Sequence, residues 1–243
     1  MSPDNVHIGT SGWHYTHWKG PFYPQDMPAR HFLSYYAQQL DTAEINNTFY
    51  QLPAEKTLVQ WRDTVPKGFT FAVKASRYIT HMKKLKDPDQ SVGNFLNRIN
   101  FLGDRLGPIL FQLPPKWKAN TERLEEFLKA LPGGYSYVFE FRDESWFSNE
   151  IEEVLARYNA GFCIYHLAGQ ESPQRVTGDP VYVRLHGPGG AYEGSYDDEA
   201  LSGWADKIRN WASDGREVYC YFDNDEAGYA AQDATRLLEM IKN

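Results

Sequence analysis

Glu44, Lys74, Glu140, Arg142, Arg184 and His186 stand at or just beyond the ends of short apolar runs, and Asn46, Gln112, Asp223 and Asn224 hold similar positions on other runs. These residue types can do chemistry together. Two carboxylates divide the roles of general acid and general base when their surroundings separate their pKa values. A lysine becomes a Schiff-base nucleophile when burial lowers its pKa, although beside two glutamates the pKa of Lys74 is expected to rise. His186 precedes Gly187-Pro188-Gly189-Gly190 and has the residue type of a general base or a metal ligand. The arginines suit bidentate contacts with carboxylate or phosphate. The pattern assigns Glu44, Glu140, His186 and Lys74 to catalysis. It assigns Asn46, Gln112, Arg142, Arg184, Asn224, Trp13 and Tyr50 to substrate binding.

Plainer readings compete with these. Glu44 and Glu140 have Lys74, Arg142 and Arg184 to pair with, and full pairing would leave a plug of ion pairs instead of a site. The stretches Gly187–Gly190 and Asn224–Gly228 could cradle phosphate on backbone N–H groups. They read equally well as turns, beside Asp223, Asp225 and Glu226, which would repel phosphate. Glu44, Glu140, His186 and Asp223 make a conceivable metal cluster, but their spacing carries no compact metal signature, and no metal or other cofactor is expected. Trp13, Tyr15, Trp18, Tyr50, Trp146 and Tyr192 fall on loops, where they would stack on a ligand or pack as a lid.

The elements that must position these side chains follow from periodicity. Strands are predicted at Val6–Gly9, Thr42–Ile45, Phe69–Lys74, Pro108–Gln112, Tyr137–Phe141, Phe162–Tyr165, Val181–Leu185 and Glu217–Phe222. Helices are predicted at Ala29–Gln39, Thr57–Val65, Pro88–Leu106, Thr121–Leu131 with Thr121 as N-cap, Asn149–Tyr158, Asp197–Ser213 and Gly228–Ile241. Gly169–Asp179 has no helical period, so the sixth helix is expected to be reduced or missing. Strands alternating with helices throughout 243 residues point to one closed (β/α)₈ TIM barrel spanning 1–243. Side chains alternate along a strand, and charged residues beneath the helices would be costly. The polar strand ends should therefore face the lumen at the C-terminal mouth, where barrels of this kind place their chemistry.

The bulk properties narrow the partners. A net charge of −7 argues against non-specific binding to nucleic acid or an anionic membrane. The start, MSPDNVHIGTSGW, has no basic and then apolar leader pattern, and no stretch is apolar for the length of a membrane span, so a cytoplasmic protein is expected. Cys163 and Cys220 fall on the sixth and eighth strands, roughly 9–10 Å apart, too far for a disulfide.

Several motifs carry a resemblance. They are Gly9-Thr10-Ser11-Gly12-Trp13, Trp18-Lys19-Gly20-Pro21-Phe22-Tyr23-Pro24, Glu44-Ile45-Asn46-Asn47-Thr48-Phe49-Tyr50, Phe71-Ala72-Val73-Lys74-Ala75, Ile79-Thr80-His81, Leu110-Phe111-Gln112-Leu113-Pro114-Pro115, Glu140-Phe141-Arg142, Ser145-Trp146, Val183-Arg184-Leu185-His186-Gly187-Pro188 and Phe222-Asp223-Asn224. With these the chain resembles the YecE-like family, domain of unknown function 72, from Gly9 to about Leu238. Asp143 stands where that family often has His, and Asp223 where it often has Asn. The resemblance implies a TIM barrel and no activity.

The expected function is an enzyme of hydrolase, isomerase or lyase type, using acid/base chemistry on a small polar or anionic substrate, a sugar or a phosphorylated compound. The alternatives are a metal-dependent phosphodiester or nucleic-acid processing enzyme, and a barrel that binds a small ligand without turning it over. A glycosidase is less well supported, because the fourth and seventh strands end in Gln112 and in Arg184 with His186 rather than in acids. The sequence leaves the oligomeric state open.

Overall fold

The computed structural model describes residues 4–242. Residues 1–3 and 243 lie outside the described residues, and with them the first positions of the stretch MSPDNVHIGTSGW and both ends of the expected 1–243 domain.

Parallel strands β1 (Val6–Ser11), β2 (Thr42–Ile45), β3 (Thr70–Lys74), β4 (Leu106–Gln112), β5 (Tyr137–Glu140) and β6 (Gly161–Leu167) are followed by a short antiparallel strand, β7 (Gln170–Glu171). Parallel β8 (Val181–Leu185) and β9 (Val218–Phe222) complete the set. The wall runs β5-β4-β3-β2-β1-β9-β8-β6, and β5 also pairs with β6, so the barrel closes. Around it lie α1 (Phe32–Gln39), α2 (Glu55–Thr64), α3 (Pro88–Ile99), α4 (Thr121–Ala130), α5 (Asn149–Arg157), α6 (Asp198–Ser213) and α7 (Tyr229–Lys242). The closed TIM-barrel architecture read from the sequence is the one observed.

Two local expectations change and a third holds. The helix expected over Pro88–Leu106 ends at Ile99; a 3₁₀ segment, Asn100–Arg105, follows. Gly103 within it has φ 57° and ψ −130°, which no helix can contain. α4 is capped by Asn120, whose side chain accepts from the Arg123 N–H at 2.8 Å, and Thr121 is its first helical residue. Between β6 and β8 there is no helix, as the missing period foretold. The chain turns back through β7 and crosses in extended form.

The period of two sorts the strand residues into an outer and an inner set. Ile8, Ala43, Ile45, Val73, Ile109, Phe111, Phe139, Ile164, Val183, Leu185 and Phe222 pack beneath the helices. Ala72, Leu110, Val138, Cys163, Tyr182, Tyr219 and Tyr221 fill the lumen. The cysteines split between these sets, Cys220 outside and Cys163 inside, and both are free. Gly9 allows β1 and β2 to lie close, since a Cβ there would meet the Thr42 carbonyl oxygen at 2.1 Å. The lumen tyrosines rest on polar partners. Tyr221 shares a 2.7 Å hydrogen bond with the Thr42 hydroxyl, and the Tyr219 hydroxyl donates to Glu217 at 3.0 Å.

Candidate active site

Two residues further along the strands, above the lumen plug, inward positions turn from largely apolar to charged. Glu44 follows Thr42 on β2, Lys74 follows Ala72 on β3, Glu140 follows Val138 on β5 and Arg184 follows Tyr182 on β8. They share a layer because neighbouring parallel strands keep their side-chain alternation in register, as with Gln112 opposite Glu140.

Arg184 is the hub of that layer and is fully buried. Its Nη2 donates to Glu44 Oε1 at 2.8 Å, and its Nη1 donates to Glu140 Oε2 at 2.8 Å. A third carboxylate, Asp223, lies 3.3 Å from Nη2. Glu44 is completed by hydroxyl donors, Ser11 at 2.7 Å and Tyr182 at 2.6 Å. Glu140 is completed by the Arg142 Nε–H, and the Arg142 guanidinium lies 4.6 Å from the ring centre of Tyr165. Burial opposes ionisation of Glu140. The charges of Arg142 and Arg184, with smaller help from His186 and Lys74, overcome it and hold the carboxyl well below the usual range.

His186 lies above Arg184 on the same face of the chain. Its Nε2 is 3.2 Å from Arg142 Nη2 and 3.3 Å from Arg184 Nη1. A guanidinium only donates, so Nε2 is the lone-pair nitrogen and the proton sits on Nδ1. Nδ1 faces Asp223 Oδ2 at 3.0 Å, in contact but off the line of a formed hydrogen bond. Burial and then the charge of Arg184 lower the imidazole pKa against the pull of Asp223, so the ring is neutral near pH 7. Gly187 makes the turn that follows. It has φ 113°, and a Cβ there would meet the Glu193 carbonyl oxygen at 2.3 Å.

Lys74 differs from the rest. It has no carboxylate within salt-bridge distance among the described residues, and its ammonium lies 4.7 Å from the ring centre of Phe49. The expectation that two glutamates would raise its pKa is overturned. Burial first, and the charge of Arg184 second, hold the Lys74 pKa below its usual value. Glu44 and Glu140 lie near enough to oppose that shift, but their hydrogen bonds go to the arginines.

The structure thus brings Glu44, Lys74, Glu140, Arg142, Arg184 and His186 to one mouth. Other expected site residues are placed differently. Asn224 is buried and donates to the Gly194 carbonyl and to Asp233, both at 2.8 Å, which fastens the loop after β9 to that after β8. Trp13 is buried against Trp61 and Phe71, and Trp18 and Trp146 are buried too, so these rings are lid core. Tyr50, 74% exposed, stands out from the rim. Asn46 borders a cavity of about 160 Å³ with Trp13, Tyr15, Glu44 and Trp61, and its Oδ1 has no partner among the described residues. Gln112 is half-buried above Leu110.

Ser11, Tyr182 and Tyr165 belong to the site and were not among the expected residues; only their parity could have marked them. Asp143 turns away, accepting from the Ser145 N–H and hydroxyl. The loops weighed as a phosphate cradle use their own N–H groups: Gly187 to the Tyr196 hydroxyl, Gly194 to Glu226 and Tyr196 to Asp233. Among the described residues no three His, Cys, Asp or Glu side chains converge as a metal needs. The Arg184 guanidinium stands between Glu44 and Glu140. Larger hollows, about 420 and 550 Å³, open at the other end of the barrel near His7 and Tyr219.

The family model "Protein of unknown function DUF72" matches residues 7–243. The UPF0759 protein YecE of Escherichia coli is 33% identical over 127 residues, which is 51% of this chain and 47% of that protein, so the alignment spans about half the length of that relative. The UPF0759 protein YunF of Bacillus subtilis is 24% identical over 97% of this chain and 94% of its own. The crystal structure of a DUF72 family protein from Thermotoga maritima superposes with a TM-score of 0.89 at 29% identity, covering 98% of this chain and 99% of that one. No helix among the described residues is long and apolar enough to cross a membrane.

Proposed function

The chain belongs to the DUF72 family of proteins of unknown function, and from the geometry of its barrel mouth we propose that it is an enzyme that moves protons on a small anionic metabolite. The observation that carries this reading is the His186 imidazole. It is neutral, with its lone-pair nitrogen between two guanidiniums and a carboxylate behind it.

Arg142 is the seat for the anion. Its Nε and Nη2 are engaged by Glu140 and His186, its side chain is 11% exposed, and its Nη1 has no protein acceptor among the described residues. An anion drawn to Nη1 would compete for the donor that now caps His186 and would offset the positive field that depresses its pKa. Binding would therefore make His186 a better base at the moment it is needed. Glu44 and Glu140 act in this reading as fixed negative charges. Both are sealed against Arg184, and a carboxyl held as an anion, like that of Glu140, is not a general acid. The same bridge counts against a metal-dependent phosphodiesterase, since a guanidinium already lies between the two glutamates.

A thermal-shift screen of sugar phosphates and small carboxylic acids tests the proposal. Stabilising compounds should lose their effect in Arg142→Leu. His186→Asn should bind them while turnover falls by about 10²- to 10⁴-fold. Stabilisation that survives Arg142→Leu would remove the anion seat, and turnover unchanged in His186→Asn would remove the proton carrier.

A further inference from the structure

We propose that Lys74 is a nucleophilic amine that forms an imine with a carbonyl compound carrying a carboxylate, a 2-oxo acid, in the barrel mouth. This rests on the reading of the mouth as an active site and names its substrate class.

Among the described residues Lys74 lacks the carboxylate partner that usually holds a buried charged lysine, and the face of Phe49 is the contact its amine makes. The nearby acids of its layer, Glu44, Glu140 and Asp223, are held by Arg184, Arg142, Ser11 and Tyr182 or face His186. Lys74 takes part in no ion pair among the described residues. Its amine lies against the face of Phe49, at 4.7 Å from the ring centre. The charged groups within its field are Arg184, Glu140, Glu44 and Asp223, with His81 on the neighbouring loop. Burial and Arg184 disfavour the ammonium, which is the condition for a nucleophilic lysine. The backbone beneath is fixed: the Lys74 carbonyl accepts from the Thr48 hydroxyl at 2.6 Å.

The chemistry balances without a further reactant. The neutral amine attacks the carbonyl carbon, a C–N bond forms and the C=O π pair moves to oxygen. A proton passes from nitrogen to that oxygen. A second proton from solvent lets it leave as water, and the nitrogen lone pair closes the iminium. The carboxylate of a 2-oxo acid, one bond from the carbonyl carbon, would take the unengaged Nη1 of Arg142, just beyond β5. The positive iminium would acidify the adjacent C–H bond; His186 would take that proton as base, and the bonding pair would be left in a neutral enamine.

The experiment is borohydride trapping. The whole protein is incubated with pyruvate, reduced with sodium borohydride, digested and mapped by mass spectrometry. The expected result is the reduced pyruvate adduct on Lys74. It should be absent from Lys74→Met and Lys74→Arg, each checked for an unchanged melting curve. Arg142→Leu should raise the pyruvate concentration for half-maximal trapping roughly tenfold to hundredfold, the worth of one charge-assisted hydrogen bond. Adduct scattered over the exposed lysines, or no adduct at all, overturns the imine. If pyruvate then still stabilises the protein through Arg142, the anion seat stands and only the covalent step fails. If that stabilisation is missing as well, pyruvate gives the anion seat no support.

Discussion

Arg184 Nη1 lies 2.8 Å from Glu140 Oε2, and the two side chains share almost no surface with solvent. A guanidinium at this depth holds three carboxylates near it, so its removal has a definite consequence. Arg184→Met leaves Glu44 with hydroxyl donors but no cation, and leaves Glu140 paired with Arg142 alone. The loss of stability should be about 3–5 kcal/mol by urea unfolding at pH 7. The pH dependence should also invert. In the parent, Glu140 contributes stability above its ordinary value of 4.5, lost as pH falls through its depressed folded value. In the variant, mild acid protonates the stranded Glu44 carboxylate and should restore stability. A variant that loses stability on acidification as the parent does would refute the pairing.

Tyr182 donates its hydroxyl to Glu44 at 2.6 Å from within the lumen. Tyr182→Phe keeps the ring and removes only the donor to a buried carboxylate. It should cost about 1.5–3 kcal/mol, read as a lower melting temperature. An unchanged midpoint would mean that Ser11 and Arg184 suffice for Glu44.

Among the described residues Asp223 is the acid facing His186 Nδ1. Its charge raises an imidazole pKa that burial and Arg184 push down. Asp223→Asn should therefore lower the His186 pKa further, with little change in packing. A titration of the histidine ring by NMR would show it. A rise, or no movement, would contradict the contact.

At the opposite end of the barrel, His7 Nδ1 meets Asp41 at 2.9 Å, and its Nε2 lies 3.4 Å from Glu217. Burial works against the charged ring, but these two acids prevail and raise its pKa to about 9. A raised histidine stabilises fully below its ordinary value of 6.5, and the contribution is lost as pH climbs through 9. The parent should lose on the order of 2 kcal/mol between pH 6 and pH 10, a figure reduced for screening at the half-exposed acids. In His7→Gln that part of the slope should vanish from denaturant midpoints. If both proteins respond to pH alike, the network is not the source.

Much of this was legible in the sequence because one rule, the alternation of side chains along a strand, places Glu44 above Thr42, Lys74 above Ala72, Glu140 above Val138 and Arg184 above Tyr182. The same rule cannot say which cation takes which acid. That depends on side-chain reach across the lumen, where Arg184 spans Glu44 and Glu140 together and leaves Lys74 without either. Loop aromatics were equally opaque. Nothing in the spacing of Trp13 separates a ring over a ligand from one pressed on Trp61. Asn224 looked like a pocket amide because it follows a strand, but its donors are taken by Gly194 in the preceding loop and by Asp233 in the helix that follows. The end of α3 was missed because the apolar period runs on through Ile99 and Leu102, although Gly103 breaks the backbone.

The tyrosine plug beneath the charged layer bears on molecular traffic. Tyr182, Tyr219 and Tyr221 fill the axis between the two ends of the cylinder. Under the proposed function, a reactant reaching His186 would stand in a blind alley, and whatever formed there would depart past the rim by which it came. Arrival and departure would compete for a single doorway, so excess of the finished compound should obstruct the incoming one.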